Sequence, residues 1–192
     1  MKNIGIIGAS GYTGAELLRL LTNHPKMSVQ IATGATMAGK KIADLYPNLA
    51  SAYPSMKFAD LNLEDFSGLD LVFCALPHGL SQKIIPDLMP KIESIVDLGS
   101  DFRLKEKEDY VNWYGMEHEC PEYLDNAVYG LPELFRDQII ESQLIAATGC
   151  NAAASIFALA PMLDSGLIKP DEIIINLITG VSGAGRPPKD NT

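Results

Sequence analysis

Seven residues near the start of the chain restrict its fold more than any other stretch. Gly8-Ala9-Ser10-Gly11-Tyr12-Thr13-Gly14 follows a short apolar run, Ile4–Ile7, and leads into Ala15–Thr22, where Leu17, Leu18, Leu20 and Leu21 supply an apolar face. Strand, glycine turn and helix in that order make a βα unit of a parallel sheet. Glycines so spaced permit a tight turn and the close approach of a pyrophosphate, which the unpaired N–H groups of the helix start then face. The spacing is G-x-x-G-x-x-G rather than G-x-G-x-x-G, so the motif alone leaves open a glycine-rich turn without a ligand.

The rest of the chain repeats the alternation. Met27–Ala32, Leu69–Ala75, Ile92–Leu98, Ala127–Tyr129 and Leu144–Ala147 read as further short strands. Gly79–Met89 reads as a helix broken at Pro86. Thr33–Glu64 reads as a loop-rich excursion, and Asp101–Glu122 as polar and irregular. His24, beside Pro25, ends the first helix. These elements predict an α/β fold with a doubly wound, mostly parallel Rossmann-type sheet. We place a dinucleotide-binding domain at residues 1–148 and the beginning of an α+β catalytic and dimerisation domain at residues 149–192. In that second part Glu172–Thr179 reads as a long strand. One strand and one helix cannot bury their own faces, and the tail from Arg186 to Thr192 completes nothing, so this domain is expected to be truncated.

The end of the second strand bears on cofactor type. A site for NAD places Asp or Glu there to hold the ribose hydroxyls. Here Ala32-Thr33-Gly34-Ala35-Thr36 is followed by Lys40-Lys41, and hydroxyls and lysines without an acid suit the 2′-phosphate of NADP. The alternative for the lysines is a solvated surface. Cofactor contacts are expected from Gly8, Ser10, Gly11, Tyr12, Thr13 and Gly14, from Thr33, Thr36 and Lys40, and from Pro77 and His78 after the third strand. His78 is read as a loop-shaping or cofactor contact rather than an acid–base group.

A second strand–turn–helix junction carries the chemistry. Leu144–Ala147 is followed by Thr148-Gly149-Cys150-Asn151 and then by strong helix formers from Ala152 to Leu159. The positive end of a helix stabilises an anion, so a thiol in its first turn is favoured as a nucleophilic thiolate. The alternative is a small buried cysteine packing the junction. The other two cysteines read differently: Cys74 lies inside an apolar strand, and Cys120 precedes Pro121 without a nameable partner. Three cysteines without paired spacing form neither a disulfide framework nor a zinc knuckle, so no metal is expected and a reducing cytoplasm is the expected compartment. A net charge of −9 argues against nucleic acid and anionic membranes as partners. No run reaches the roughly 20 apolar residues that a bilayer needs, and Met1–Gly8 is too short and glycine-broken for a signal peptide.

Six stretches together resemble one family. Gly8-Ala9-Ser10-Gly11-Tyr12-Thr13-Gly14-Ala15-Glu16-Leu17, Leu76-Pro77-His78-Gly79, Asp97-Leu98-Gly99-Ser100-Asp101-Phe102-Arg103-Leu104, Tyr129-Gly130-Leu131-Pro132-Glu133, Thr148-Gly149-Cys150 and Gly180-Val181-Ser182-Gly183-Ala184-Gly185-Arg186 are similar, in order, to the motifs of N-acetyl-γ-glutamyl-phosphate reductases. The wider superfamily includes aspartate-semialdehyde dehydrogenase. The resemblance implies NADPH-dependent reduction of N-acetyl-γ-glutamyl phosphate to the semialdehyde with release of phosphate, a step of arginine biosynthesis, with Cys150 as the nucleophile that forms a thioester. Substrate contacts are expected from Ser100, Arg103, Asn151 and Arg186. Arg103 comes first because its fork suits phosphate or carboxylate, and a surface salt bridge is the alternative for either arginine. Ser182 and Gly183 are expected on the nicotinamide side. The family's arginine near the 2′-phosphate is replaced by Gly34 or its neighbours. Its acid–base histidine lies beyond Arg186 and matches none of His24, His78 and His118, so this chain alone is expected to be close to inactive. Self-association is expected of the full-length protein. The rival readings are a relative acting on an aspartyl or aminoadipyl phosphate, and a non-catalytic NADP-binding module.

Overall fold

A computed structural model of the chain describes residues 1–186; the tail from Pro187 lies outside the described residues. The chain divides into two compact units, Met1–Ala147 and Thr148–Thr192. In the first unit the chain runs through β1 (Lys2–Ile7), α1 (Tyr12–Leu21), β2 (Met27–Ala32), a one-turn α2 (Ile42–Leu45), β3 (Leu71–Cys74), α3 (Ser81–Leu88), β4 (Ser94–Asp97), α4 (Lys107–Tyr114), β5 (Ala127–Gly130), α5 (Pro132–Glu141) and β6 (Leu144–Ala147). The strands form one parallel sheet in the order β2-β1-β3-β4-β6-β5. From β1 the chain steps outward to β2 and then returns to the other side of β1 as β3. The sheet therefore has its topological switch point between β1 and β3, the position where open α/β sheets bind ligands outside the carboxyl ends of the strands.

Side chains alternate between the two faces of each strand, so successive residues enter different cores. Ile4 and Ile6 pack with Leu18, Leu21, Ala32 and Phe58. Ile7, Val72, Cys74, Ile95, Leu144 and Ala146 pack with Ile85, Leu88 and Tyr110. Two covered faces explain why these strands are apolar almost throughout rather than alternating with polar residues. No helix of the described residues is long and apolar enough to cross a membrane.

Three local expectations are corrected. The helix at Ser81–Leu88 runs through Pro86 without a break. Proline cannot donate to the carbonyl of Gln82 four residues earlier, and the Cys120 thiol takes that acceptor instead, with Sγ 3.3 Å from Gln82 O. This also supplies the partner that Cys120 lacked. The stretch read as irregular contains α4, which buries only Tyr110, carries Glu108 and Asp109 in its first turn and ends at Gly115 with φ 68°. In the second unit α6 (Cys150–Asp164) follows Gly149, but residues 172–179 form no strand. No neighbouring strand pairs with them among the described residues, and a lone strand has no ladder to hold it.

Gly14 shows how tightly the first turn is packed. A Cβ there would lie 2.4 Å from Ala9 Cα. Replacing Gly14 by Ala gains about 1 kcal/mol of helix propensity, but the backbone collision outweighs it. Gly14→Ala is expected to destabilise the protein by about 2 kcal/mol in urea unfolding. Gly11→Ala, whose Cβ meets nothing nearer than 3.5 Å, is the contrast and should leave the midpoint nearly unchanged.

Candidate active site

At the switch point the exits of β1 and β3 touch. Gly8 has φ 82°, and a Cβ on it would lie 2.2 Å from the Ala75 carbonyl oxygen, so only glycine fits between the two loops. The turn is then tied from the β2 side. Ala9 N donates to Thr33 O at 2.7 Å and Gly8 N donates to Thr33 Oγ1 at 3.2 Å. Ser10 Oγ donates to Gly34 O, and the Tyr46 hydroxyl donates to Ser10 O at 2.7 Å. Gly11 is the N-cap of α1; no side chain caps this helix and no acid lies in its first turn. The leading N–H groups of α1 are thus left for an external acceptor, which is what a dinucleotide pyrophosphate requires. Tyr12 and Thr13 are exposed at this end.

Thr33 departs from expectation. It is buried, and its hydroxyl faces Gly8 rather than solvent, because the end of β2 packs beneath the turn. Thr36 and Lys40, by contrast, are exposed in the loop that follows β2.

The exit of β4 clamps the exit of β3. Cys74 and Asp97 are register partners at the ends of the two strands. Asp97 Oδ1 accepts from Ser81 Oγ at 2.6 Å and from Gly99 N at 3.0 Å. The Asp101 carboxylate accepts from Gly79 N at 2.8 Å and Gln82 N at 3.1 Å, closing the start of α3. Ser100 is buried with its Oγ 2.6 Å from His78 Nδ1, so the structure joins an expected substrate residue to an expected cofactor residue. His78 and Pro77 are exposed. His118 is buried and donates from Nε2 to Asp101 O at 2.6 Å, while its Nδ1 accepts from Cys120 N. Arg103 donates from Nε to Ala147 O at 2.8 Å and from Nη2 to Leu98 O at 3.1 Å, tying the end of β6 to the end of β4. Two of its five donors are therefore spent on backbone.

Asp97 is the electrostatic oddity here. Burial pushes its carboxyl up to about 6, against the opposing hydrogen bonds from Ser81 and Gly99. Its Oδ2 has no partner among the described residues. Burial also raises the thiol of Cys74 well above its ordinary range, with Asp97 adding to the effect, and raises Cys120 to about 12.

In the second unit Cys150 is exposed and is the first residue of α6. Its N-cap is Gly149, again with no side-chain cap and no acid in the first turn. Asn151 Oδ1 lies 3.8 Å from Cys150 Sγ. Ser182 and Gly183 lie in the 3-10 turn Val181–Ala184, with Arg186 just beyond it. The residues that sequence reasoning passed over are Tyr46, Asp97, Asp101 and His118. The two aspartates lie inside a recognised motif but carried no assigned role. Tyr46 and His118 have no local signal at all.

Residues 3–142 match the family model described as semialdehyde dehydrogenase, NAD binding domain, and residues 150–192 match semialdehyde dehydrogenase, dimerisation domain. An N-acetyl-gamma-glutamyl-phosphate reductase of Jannaschia sp. (strain CCS1) is 50% identical over 99% of this chain and 55% of the relative. A protein of the same name from Acinetobacter baylyi is 45% identical over 97% of this chain and 54% of the relative. The chain thus spans about half the length of the curated relatives it matches. Among solved structures, aspartate semialdehyde dehydrogenase with NADP from Candida albicans superposes with a TM-score of 0.59 at 18% identity, over 86% of this chain and 47% of that one. The Francisella tularensis aspartate semialdehyde dehydrogenase gives 0.60 at 16% identity, over 86% of this chain and 42% of that one. At such identities the likeness speaks for the fold.

Two outcomes follow from the environments of these groups. Iodoacetamide under native conditions should label Cys150 at least about tenfold faster than Cys74 or Cys120, which are buried and hold their protons tightly. Peptide mass spectrometry reads this directly, and equal labelling would contradict it. For Asp97, folding takes up a proton between the ordinary carboxylate value near 4 and about 6. Its favourable contribution is complete below about pH 4 and is lost as pH rises through about 6. Asp97→Asn imitates the neutral acid. It should match the parent protein near pH 4 and exceed it by about 2–3 kcal/mol near pH 7, as read by urea unfolding across the range.

Proposed function

Because the chain belongs to the semialdehyde dehydrogenase family, we propose that the whole protein is an NADPH-dependent reductase of N-acetyl-γ-glutamyl phosphate acting in arginine biosynthesis. One observation carries the reading. Among the described residues two α-helices start behind a glycine without a side-chain cap, one after a glycine turn at the switch point and one headed by an exposed cysteine. The first suits a pyrophosphate and the second an anionic sulfur and the oxyanion it generates. We assign residues 1–148 to the cofactor and residues 149–192 to the substrate and to self-association, the latter supported by the dimerisation-domain match. Three cysteines without a disulfide suit a cytoplasmic home.

When bound, the dinucleotide supplies a hydride. Ser10, Tyr12, Thr13 and Gly14 would hold its pyrophosphate through backbone N–H groups. Gly8 and Gly11, whose own N–H groups go to Thr33 Oγ1 and Gly8 O, would serve by allowing the turn and its close approach, with Pro77 and His78 bounding the other side of the crevice. Thr36 and Lys40 are the exposed groups for a 2′-phosphate, and Thr33 serves by shaping the turn. Cys150 Sγ attacks the acyl carbonyl, and the bond to phosphate breaks to leave a thioester. The leading N–H groups of α6, with Asn151, steady the tetrahedral oxygen. Cys150 would hold the acyl carbon in place for that hydride, and its thiolate would be the group that leaves as the aldehyde forms. Arg103, through the donors it has left, and Arg186 are the cations proposed for the substrate's phosphate and carboxylate. Ser182 and Gly183 are proposed on the nicotinamide side.

The test is a steady-state assay of the full-length protein. N-acetyl-γ-glutamyl phosphate should be reduced with NADPH, and aspartyl phosphate should be a far poorer substrate. Cys150→Ala should lower kcat by at least about a thousandfold. Lys40→Ala should raise the KM for NADPH about tenfold while leaving that for NADH unchanged, the loss of one charge-assisted contact. A Cys150→Ala enzyme of undiminished kcat would defeat the mechanism.

A further inference from the structure

We propose that Ser100 is a positioning residue. Its hydroxyl locks His78 in the tautomer that carries its proton on Nε2, and that N–H donates to an oxygen of the dinucleotide in the crevice. The inference rests on the reading of that crevice as the cofactor site. It moves Ser100 from contact with substrate to a role exerted through a neighbouring imidazole.

The hydrogen-bond inventory sets the direction of the bond. Ser100 is 1% exposed, and His78 Nδ1, 2.6 Å from its Oγ, is its one side-chain partner among the described residues. Were Nδ1 the donor, the Ser100 O–H would be buried with no acceptor. With Ser100 donating, only lone pairs go unused, which is the cheaper outcome. Nδ1 therefore accepts, and the neutral ring must carry its proton on Nε2.

The ring is held from other sides as well. Tyr114 packs against it with ring centroids 5.7 Å apart and planes tilted by 55°. The next residue, Gly79, has φ 80° and is pinned through its N–H by Asp101. Nε2 itself has no partner among the described residues, and His78 is exposed. His78 lies three residues beyond Ala75, whose carbonyl touches Gly8 of the pyrophosphate turn. An oriented neutral N–H at that place fits a phosphate or carboxamide oxygen of the dinucleotide.

The experiment uses full-length protein labelled with 15N in slightly alkaline buffer, where an ordinary histidine is neutral. Long-range 15N–1H correlation should show His78 with a protonated Nε2 and a lone-paired Nδ1, and Ser100→Ala should abolish that single-tautomer pattern. By fluorescence titration Ser100→Ala and His78→Ala should each weaken NADPH binding about three- to tenfold, and the double variant should be no weaker than His78→Ala alone. A His78 protonated on Nδ1 in the parent protein would overturn the proposal. So would additive losses in the double variant, or a Ser100→Ala that leaves NADPH affinity intact and raises the KM for the acyl phosphate. A parent protein that binds no NADPH would overturn the cofactor reading and the donor's assigned ligand together, while the ring shifts would still decide the Ser100–His78 bond by itself.

Discussion

A buried polar seam between the exits of β3 and β4 governs the carboxyl edge of this sheet. Parallel neighbours bring their ends out side by side, and here the register pairs Cys74 with Asp97. Each exit loop then presents backbone N–H groups at buried or half-buried positions. Asp101 satisfies Gly79 and Gln82 across the seam, while Asp97 takes the Ser81 hydroxyl across it and the Gly99 N–H of its own loop. Remoter chain is drawn to the same place. His118 donates to the carbonyl of Asp101, and the Cys120 thiol occupies the acceptor that Pro86 leaves vacant. A helix that should break at its proline therefore continues, because a different element supplies the missing donor.

The seam is not fully satisfied. Asp97 keeps one oxygen without a partner among the described residues, and its carboxyl holds a proton to higher pH than an exposed one would. A buried network with one open position costs stability. It persists beside the crevice, where the same residues fix the loop that carries His78. Three helix starts are treated differently within their own units. That of α3 is closed by Asp101, whereas those of α1 and α6 begin at glycines and receive no side chain. A filled helix start is a structural joint, while an open one keeps its N–H groups and its dipole for a ligand.

Much of this architecture is legible in the sequence. Short runs rich in apolar residues mark β1, β2, β3, β4, β5 and β6, and all six are found, β2 and β6 at both ends and the others with ends displaced by at most two residues. The glycine turn is legible because a positive φ and a 2.2 Å approach admit no other residue at Gly8. Cys150 is legible because strand, glycine and helix formers adjoin it directly. α4 is obscured because one buried tyrosine in eight residues leaves no apolar stripe to detect. Glu172–Thr179 reads as a strand from β-branched content alone, yet strand structure needs a partner, and propensity carries no information about one.

What the sequence determines by itself is local: the βα order, the glycine turn, the placement of a cysteine at a helix start and the run of motifs that marks the family. Only the tertiary structure decides which polar group meets which. Thr33 turns to Gly8 rather than to solvent, Ser100 to His78, Tyr46 to Ser10 and Cys120 to Gln82, across separations of 22 to 38 residues. Backbone periodicity reaches only a few residues along the chain. Partnerships at these distances are set by the order in which strands enter the sheet, and that order is a property of the assembled core.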